Sequence, residues 1–187
     1  MSEPTTSLHS RRILLGVSGS IAAYKAAPLT RLLVKAGAEV QVILTEAGAA
    51  FVTPLTLGTL SKKPVLTGFL RDAASGQWHN HVELGLWADA LLIAPASANT
   101  IGQLANGLCP NLLCAVYLSA RCPVFLAPAM DLDMYAHPAV MQNLARLRSF
   151  GNTVFDSPSG ELASGLSGHG RMLEPEEIVA ELERFFG

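Results

Sequence analysis

A chain of 187 residues, half of them hydrophobic and 15% charged, is large enough for one domain with a sizeable core. Its formal net charge of −2, with no basic block, argues against nucleic acid or an anionic membrane as partner, and no apolar run reaches the length of a bilayer span. So apolar a composition predicts an oligomer that hides part of its surface.

Residues 1–10 are polar, lack a signal-peptide core and read as a disordered tail, leaving residues 11–187 as a single domain. Arg12–Val17 is a short apolar strand. The pattern from Ile21 to Ala36 is helical and stops at Gly37, a fitting cap residue. Glu39–Leu44 is a second strand, and Phe51–Leu60 a helix with Pro54 near its first turn. Val65–Leu70 is ambiguous, and Arg71–Asn80 reads as a polar loop. Ala90–Ala94 is a continuous apolar strand, followed by a helical stretch, Ile101–Ala120, interrupted around Gly107–Pro110. Val124–Ala127 is a strand, Pro138–Phe150 a helix ending at Gly151, and Thr153–Phe155 a last strand. Ser157–Gly170 is rich in Gly and Ser, hence a loop. Pro175–Phe186 closes the chain as a helix, with Pro175-Glu176-Glu177 suited to its positive end. Nearly continuous apolar strands alternating with helices imply an α/β fold whose parallel sheet is covered on both faces.

Three turns at strand carboxyl ends carry the polar groups that a ligand needs. Pro95-Ala96-Ser97-Ala98-Asn99-Thr100 follows the Ala90–Ala94 strand, at the place where open α/β sheets bind ligands. Gly16-Val17-Ser18-Gly19-Ser20 follows the first strand, where small residues admit a ligand to the backbone and a helix N-terminus suits a phosphate. Pro128-Ala129-Met130-Asp131 follows a later one. The first turn is not G-x-G-x-x-G, and the second strand ends in Thr45 rather than in a carboxylate for a ribose diol, so FMN fits better than NAD. His81 sits between a polar loop and an apolar stretch, where an imidazole can titrate near neutrality and act as a base. Cys109, Cys114 and Cys122 are odd in number and lack C-x-x-C spacing. They read as buried free thiols of a reducing cytoplasm, with no metal site.

The ordered set GVSGSIAAYK (Gly16 to Lys25), Phe51-Val52-Thr53-Pro54-Leu55, HVELGLWAD (His81 to Asp89), PASANT (Pro95 to Thr100), PAMDLDM (Pro128 to Met134) and GHGRM (Gly168 to Met172) resembles the phosphopantothenoylcysteine decarboxylases of the flavin-containing cysteine decarboxylase family. The resemblance implies a flavodoxin-like, Rossmann-like three-layer sandwich, assembled as trimers or trimers of trimers with FMN between subunits. It implies that Ser18, Gly19, Ser20 and Thr45 hold the phosphate. Phe51, Ser97, Ala98, Asn99, Thr100 and Met130 would lie about the flavin, with Asp131, Met134, Ala163, Arg171 and Met172 about the substrate. His81 would be the active-site histidine, supplied from a neighbouring subunit. The implied reaction converts 4'-phospho-N-pantothenoylcysteine to 4'-phosphopantetheine in coenzyme A synthesis. Oxidising the sulfur-bearing carbon to a thioaldehyde provides the electron sink that CO2 loss requires, and the hydride then returns to the ene-thiolate. A CTP-using synthetase, fused or separate, is the implied partner.

Two positions depart from the family's pattern. Asp131 stands where an Asn is usual, and an ionised Asp cannot donate to a substrate carboxylate. Ser164 stands in the cysteine position of the usual A-C-G-D loop, and Leu166 in the aspartate position. A serine hydroxyl is a far weaker acid than a thiol, so the returning proton would need another route; His169 and Cys109 are candidates. Two further functions stay open: oxidative decarboxylation of a peptide's C-terminal cysteine, and a non-catalytic FMN-binding regulatory subunit.

Overall fold

A computed structural model describes residues 6–72 and 74–187. β1 (Arg12–Val17) leads through a 3-10 turn, Ile21–Lys25, into α1 (Ala26–Lys35) and β2 (Glu39–Leu44). Then come α2 (Glu46–Ala49), α3 (Pro54–Ser61), β3 (Leu70–Asp72), β4 (Gln77–Trp78) and α4 (His81–Trp87). The second half holds β5 (Ala90–Ala96), α5 (Ala98–Ala105), α6 (Leu112–Ser119), β6 (Val124–Pro128), α7 (Leu132–Ala136) and α8 (Pro138–Ser149). β7 (Thr153–Val154), β8 (Ser159–Glu161), β9 (Ser167–His169) and α9 (Pro175–Phe186) complete it.

The main sheet has the order β2-β1-β5-β6-β7, and every pairing in it is parallel. Alternate side chains of each strand feed two separate cores, as a period-2 backbone demands. Ile13, Leu15 and Val17 of β1 and Leu92 and Ala94 of β5 pack with Leu29 and Leu33 of α1 and Ile178 and Leu182 of α9. Leu14, Leu91 and Ile93 pack on the other face with Ile101 of α5, Leu113 of α6 and Leu144 of α8. Helices therefore cover both faces of the sheet, as the strand pattern predicts, in the three-layer, flavodoxin-like arrangement that the resemblance implies. No helix among the described residues is long and apolar enough to cross a membrane.

Some boundaries differ from the sequence reading. Residues 1–5 of the expected tail lie outside the described residues, but Thr6–Ser10 are docked. Leu8 is fully buried, and the Ser7 hydroxyl donates to the Glu183 carbonyl at 2.7 Å. The loops expected at Arg71–Asn80 and Ser157–Gly170 contain antiparallel hairpins, β3–β4 and β8–β9. The segment expected as one helix from Ile21 begins as a 3-10 turn, capped by the Ser20 hydroxyl accepting from the Ala22 N–H. α5 starts at Ala98, earlier than expected, because the Ser97 hydroxyl accepts from the Thr100 N–H. α6 is a separate helix, capped by Asn111 accepting from the Cys114 N–H at 3.0 Å. That break leaves Cys109 exposed in a loop rather than buried; Cys122 is half-buried and Cys114 buried. Burial pushes the Cys114 thiol up to about 11.

Candidate functional site

Between β1 and β5 the strand order changes direction: from β1 the chain moves outward to β2, then returns to the other side of β1 with β5. Loops leaving two such strands diverge and leave a crevice at their carboxyl ends. A cavity of about 660 Å³ lies there. One wall is Gly19, Ser20 and Ile21 after β1, with Ser97, Ala98 and Asn99 at the start of α5. The other is Ala129, Met130 and Asp131 after β6, Met134 of α7, Leu162 and Ala163 of the β8–β9 hairpin, and Gly170, Arg171 and Met172 after it.

A single buried hydroxyl joins the first two loops. Ser18 Oγ donates to the Pro95 carbonyl at 2.7 Å and accepts from the Ser97 N–H at 2.9 Å. With its proton committed there and only 1% of the residue exposed, Ser18 shapes the crevice from beneath. Thr45 is similarly occupied, donating to the Val17 carbonyl and accepting from the Gly48 N–H. At Gly19 a Cβ would stand 2.5 Å from the Ala47 side chain, so the β1 loop can pass this close to α2 only as glycine. Ser97, Ala98 and Asn99, at the start of α5, line the same crevice, and a helix N-terminus suits an anion.

The second wall is tied together at Gly170. Its carbonyl accepts from the Met130 N–H at 3.0 Å, and the Ala129 N–H donates to the Ala96 carbonyl at 3.0 Å. The loops after β5, β6 and β9 thus form one hydrogen-bonded rim. Gly170 has φ +139, and a Cβ there would run into the Met130 carbonyl oxygen.

Charge at the rim is shared unevenly. Lys25 is buried in the wall, where its Nζ donates to the Met172 carbonyl at 3.2 Å and to Glu174 Oε1 at 2.7 Å. Arg171 reaches the same Glu174 oxygen at 3.2 Å. The hydrogen bond from Lys25, with the two positive charges, holds the Glu174 carboxyl below its ordinary range despite some desolvation. Asp131 caps α7 in backbone conformation but makes no side-chain cap hydrogen bond.

The structure brings Gly19, Ser20, Ser97, Ala98, Asn99, Met130, Asp131, Met134, Ala163, Arg171 and Met172 to one cavity, although Met172 is itself 1% exposed and packs into the core. Thr100 is buried beneath Ser97, with which it shares a hydrogen bond. Phe51 is exposed between α2 and α3, outside the cavity wall. Ser164 sits at the tip of the β8–β9 hairpin, beside the cavity-lining Ala163. His169 is bound through Nδ1 to the Ser157 carbonyl at 2.8 Å, and neither it nor Cys109 lines the cavity. His81 opens α4 away from this cavity, its ring against Phe69 and Trp78 and its buried Nδ1 without a hydrogen-bond partner among the described residues. The sequence reading gave no site role to Lys25, Glu161 or Glu174. A lysine among the small apolar residues Ala22, Ala23 and Ala26 was the available signal for the first.

A protein named cysteine/cysteine sulfinic acid decarboxylase, from an unknown prokaryotic organism, is 62% identical over 135 residues, or 72% of this chain and 37% of the relative. The coenzyme A biosynthesis bifunctional protein CoaBC of Vibrio cholerae is 47% identical over 180 residues, or 96% of this chain and 45% of the relative. The chain thus spans less than half the length of either. Among solved structures, a cysteine-to-serine mutant of PPC decarboxylase complexed with pantothenoylaminoethenethiol has a TM-score of 0.84 at 35% identity, covering 95% of this chain and 99% of that one. The FMN-binding protein AtHal3 has a TM-score of 0.82 at 34% identity, covering 95% and 97%. The family model described as Flavoprotein matches residues 1–187, and the chain belongs to that family.

Proposed function

We propose that this chain catalyses the FMN-dependent decarboxylation of 4'-phospho-N-pantothenoylcysteine to 4'-phosphopantetheine. The observation that carries this reading is the convergence of the Pro95–Thr100, Pro128–Met134 and Gly168–Met172 segments on one cavity at the sheet's switch point. The relatives named for coenzyme A biosynthesis and for PPC decarboxylase support it. The cysteine/cysteine sulfinic acid decarboxylase shares with it a cysteine skeleton that loses its carboxylate. Under this reading the protein works in the cytoplasm, in trimers or multiples of trimers, with a synthetase as fused or separate partner.

The residues present fit a flavin mononucleotide. Ser20 and the α5 amides at Ala98 and Asn99 can receive the phosphate, and Met130 offers an apolar edge to a ring. When bound, FMN supplies a reversible hydride acceptor for the carbon that bears sulfur. The protein's part is to place that carbon. Asn99 offers its amide from one wall, while Met130 and Met134 exclude water from the other. His81, from a neighbouring subunit, would take the thiol proton, and a group at the hairpin would return one to carbon.

The test is a product mass spectrum after anaerobic incubation of the yellow protein with phosphopantothenoylcysteine. Loss of CO2 alone is expected. Loss of CO2 with two hydrogens, leaving FMN reduced, would replace this reading by oxidative decarboxylation of a C-terminal cysteine. Bound FMN without any reaction would point to a regulatory subunit.

A further inference from the structure

We propose that Gln103 is a positioning residue for the flavin site, turning the Asn99 side chain so that its amide nitrogen is the atom offered to the cavity. This rests on the flavin reading above, and adds which atom of Asn99 meets the ring and what holds it there. Asn99 lines the cavity and Gln103 does not. The two stand one turn apart on α5, where side chains four positions apart are neighbours. Gln103 Nε2 donates to Asn99 Oδ1 at 3.3 Å, and Gln103 Oε1 accepts from the Cys114 thiol of α6 at 3.4 Å.

This relay has a direction. A side-chain amide has one accepting end and one donating end, so committing one end fixes the use of the other. The relay starts at Cys114, a fully buried thiol that burial pushes up to about 11 and so keeps protonated. An S–H donates to an oxygen, whereas its sulfur accepts only weakly from an N–H. The Gln103 oxygen therefore faces the sulfur, and its nitrogen faces Asn99. That nitrogen occupies Asn99 Oδ1, while Asn99 Nδ2 has no hydrogen-bond partner among the described residues. The polar atom left for a ligand is a donor. An oxidised flavin ring accepts at its carbonyl oxygens and at N1 and N5, so a donor held in place before binding suits it. A carboxylate at position 103 would reverse the relay. Both its oxygens accept, so Asn99 would turn its nitrogen toward them and present Oδ1 to the accepting edge of the ring.

The experiment measures FMN release from the loaded protein, by the rise of free-flavin fluorescence on dilution, together with the position of the bound flavin's visible absorption band. The unaltered chain is compared with Gln103→Glu, Gln103→Met, Asn99→Ala and the double variant Asn99→Ala/Gln103→Met. Release about tenfold faster with a displaced band is expected for Gln103→Glu. Gln103→Met keeps the side chain's length but frees Asn99 to turn, and about threefold faster release is expected. In the Asn99→Ala background Gln103→Met should accelerate release no further, because the two residues act through one amide. Equal acceleration with and without Asn99 would mean that Gln103 supports only the fold, and would overturn the proposal. Unmoved release and an unmoved band in Gln103→Glu would overturn it too, and leave the proposed function standing if phosphopantothenoylcysteine is still decarboxylated. An unaltered chain that retains no FMN would overturn both.

Discussion

Gly170 shows how one residue can fix a site without touching a ligand through a side chain. Its φ of +139 is a conformation that L side chains rarely adopt, and its carbonyl is bonded to the Met130 N–H. Gly170→Ala must break that contact or strain the backbone, at a cost of about 1–3 kcal/mol. A lower urea midpoint together with weakened flavin retention is the expected result; an unchanged midpoint would mean the rim tolerates the shift. At this scale the sequence was readable in where Ser97, Ala98 and Asn99 stand, at the carboxyl end of β5 on the cavity wall. It was misleading where a hydroxyl is consumed internally. Ser18 and Thr45 look like phosphate donors in one dimension, yet each has given its proton to a backbone carbonyl of an adjacent loop. Glu174 was hidden because its importance depends on Lys25, 149 residues away in the chain.

Among the elements, the β8–β9 hairpin is the least predictable and the closest to the departures from the family's pattern. Its strands are three residues each, and Ser159, Glu161, Ser167 and His169 are exposed, so no apolar alternation marks it. The strands of the main sheet are legible for the opposite reason: β5 is buried at every position. Ser164 lies at the hairpin's tip, one residue beyond Ala163 on the cavity wall. A thiol there would be a far better proton donor than a hydroxyl. Ser164→Cys should therefore raise the ratio of saturated product to ene-thiol in the anaerobic mass spectrum, if protons reach carbon through this tip. An unmoved ratio would place the donor elsewhere.

For the whole molecule, the apolar composition is explained only partly by the two cores. Ile21, Tyr24, Leu55, Leu70, Trp78, Val82 and Leu86 are all substantially exposed, Leu55 at 80%. His81 lies beside the exposed Trp78, away from the cavity of its own chain. Light scattering of the FMN-loaded protein is expected to give a mass in multiples of three chains; a monomer retaining full activity would refute a neighbour's histidine in the site. The hydrogen bonds of Ser18 bear on folding as well. They join residues 77 and 79 positions apart, and they can form only after β5 has taken its place beside β1. The crevice is thus absent from any intermediate built on the local β1–β2 pair alone. A ligand held there binds the completed sheet and not its precursors, so it stabilises the native state by mass action. Cofactor supply in the cell then becomes a determinant of how much of this protein survives as folded chain.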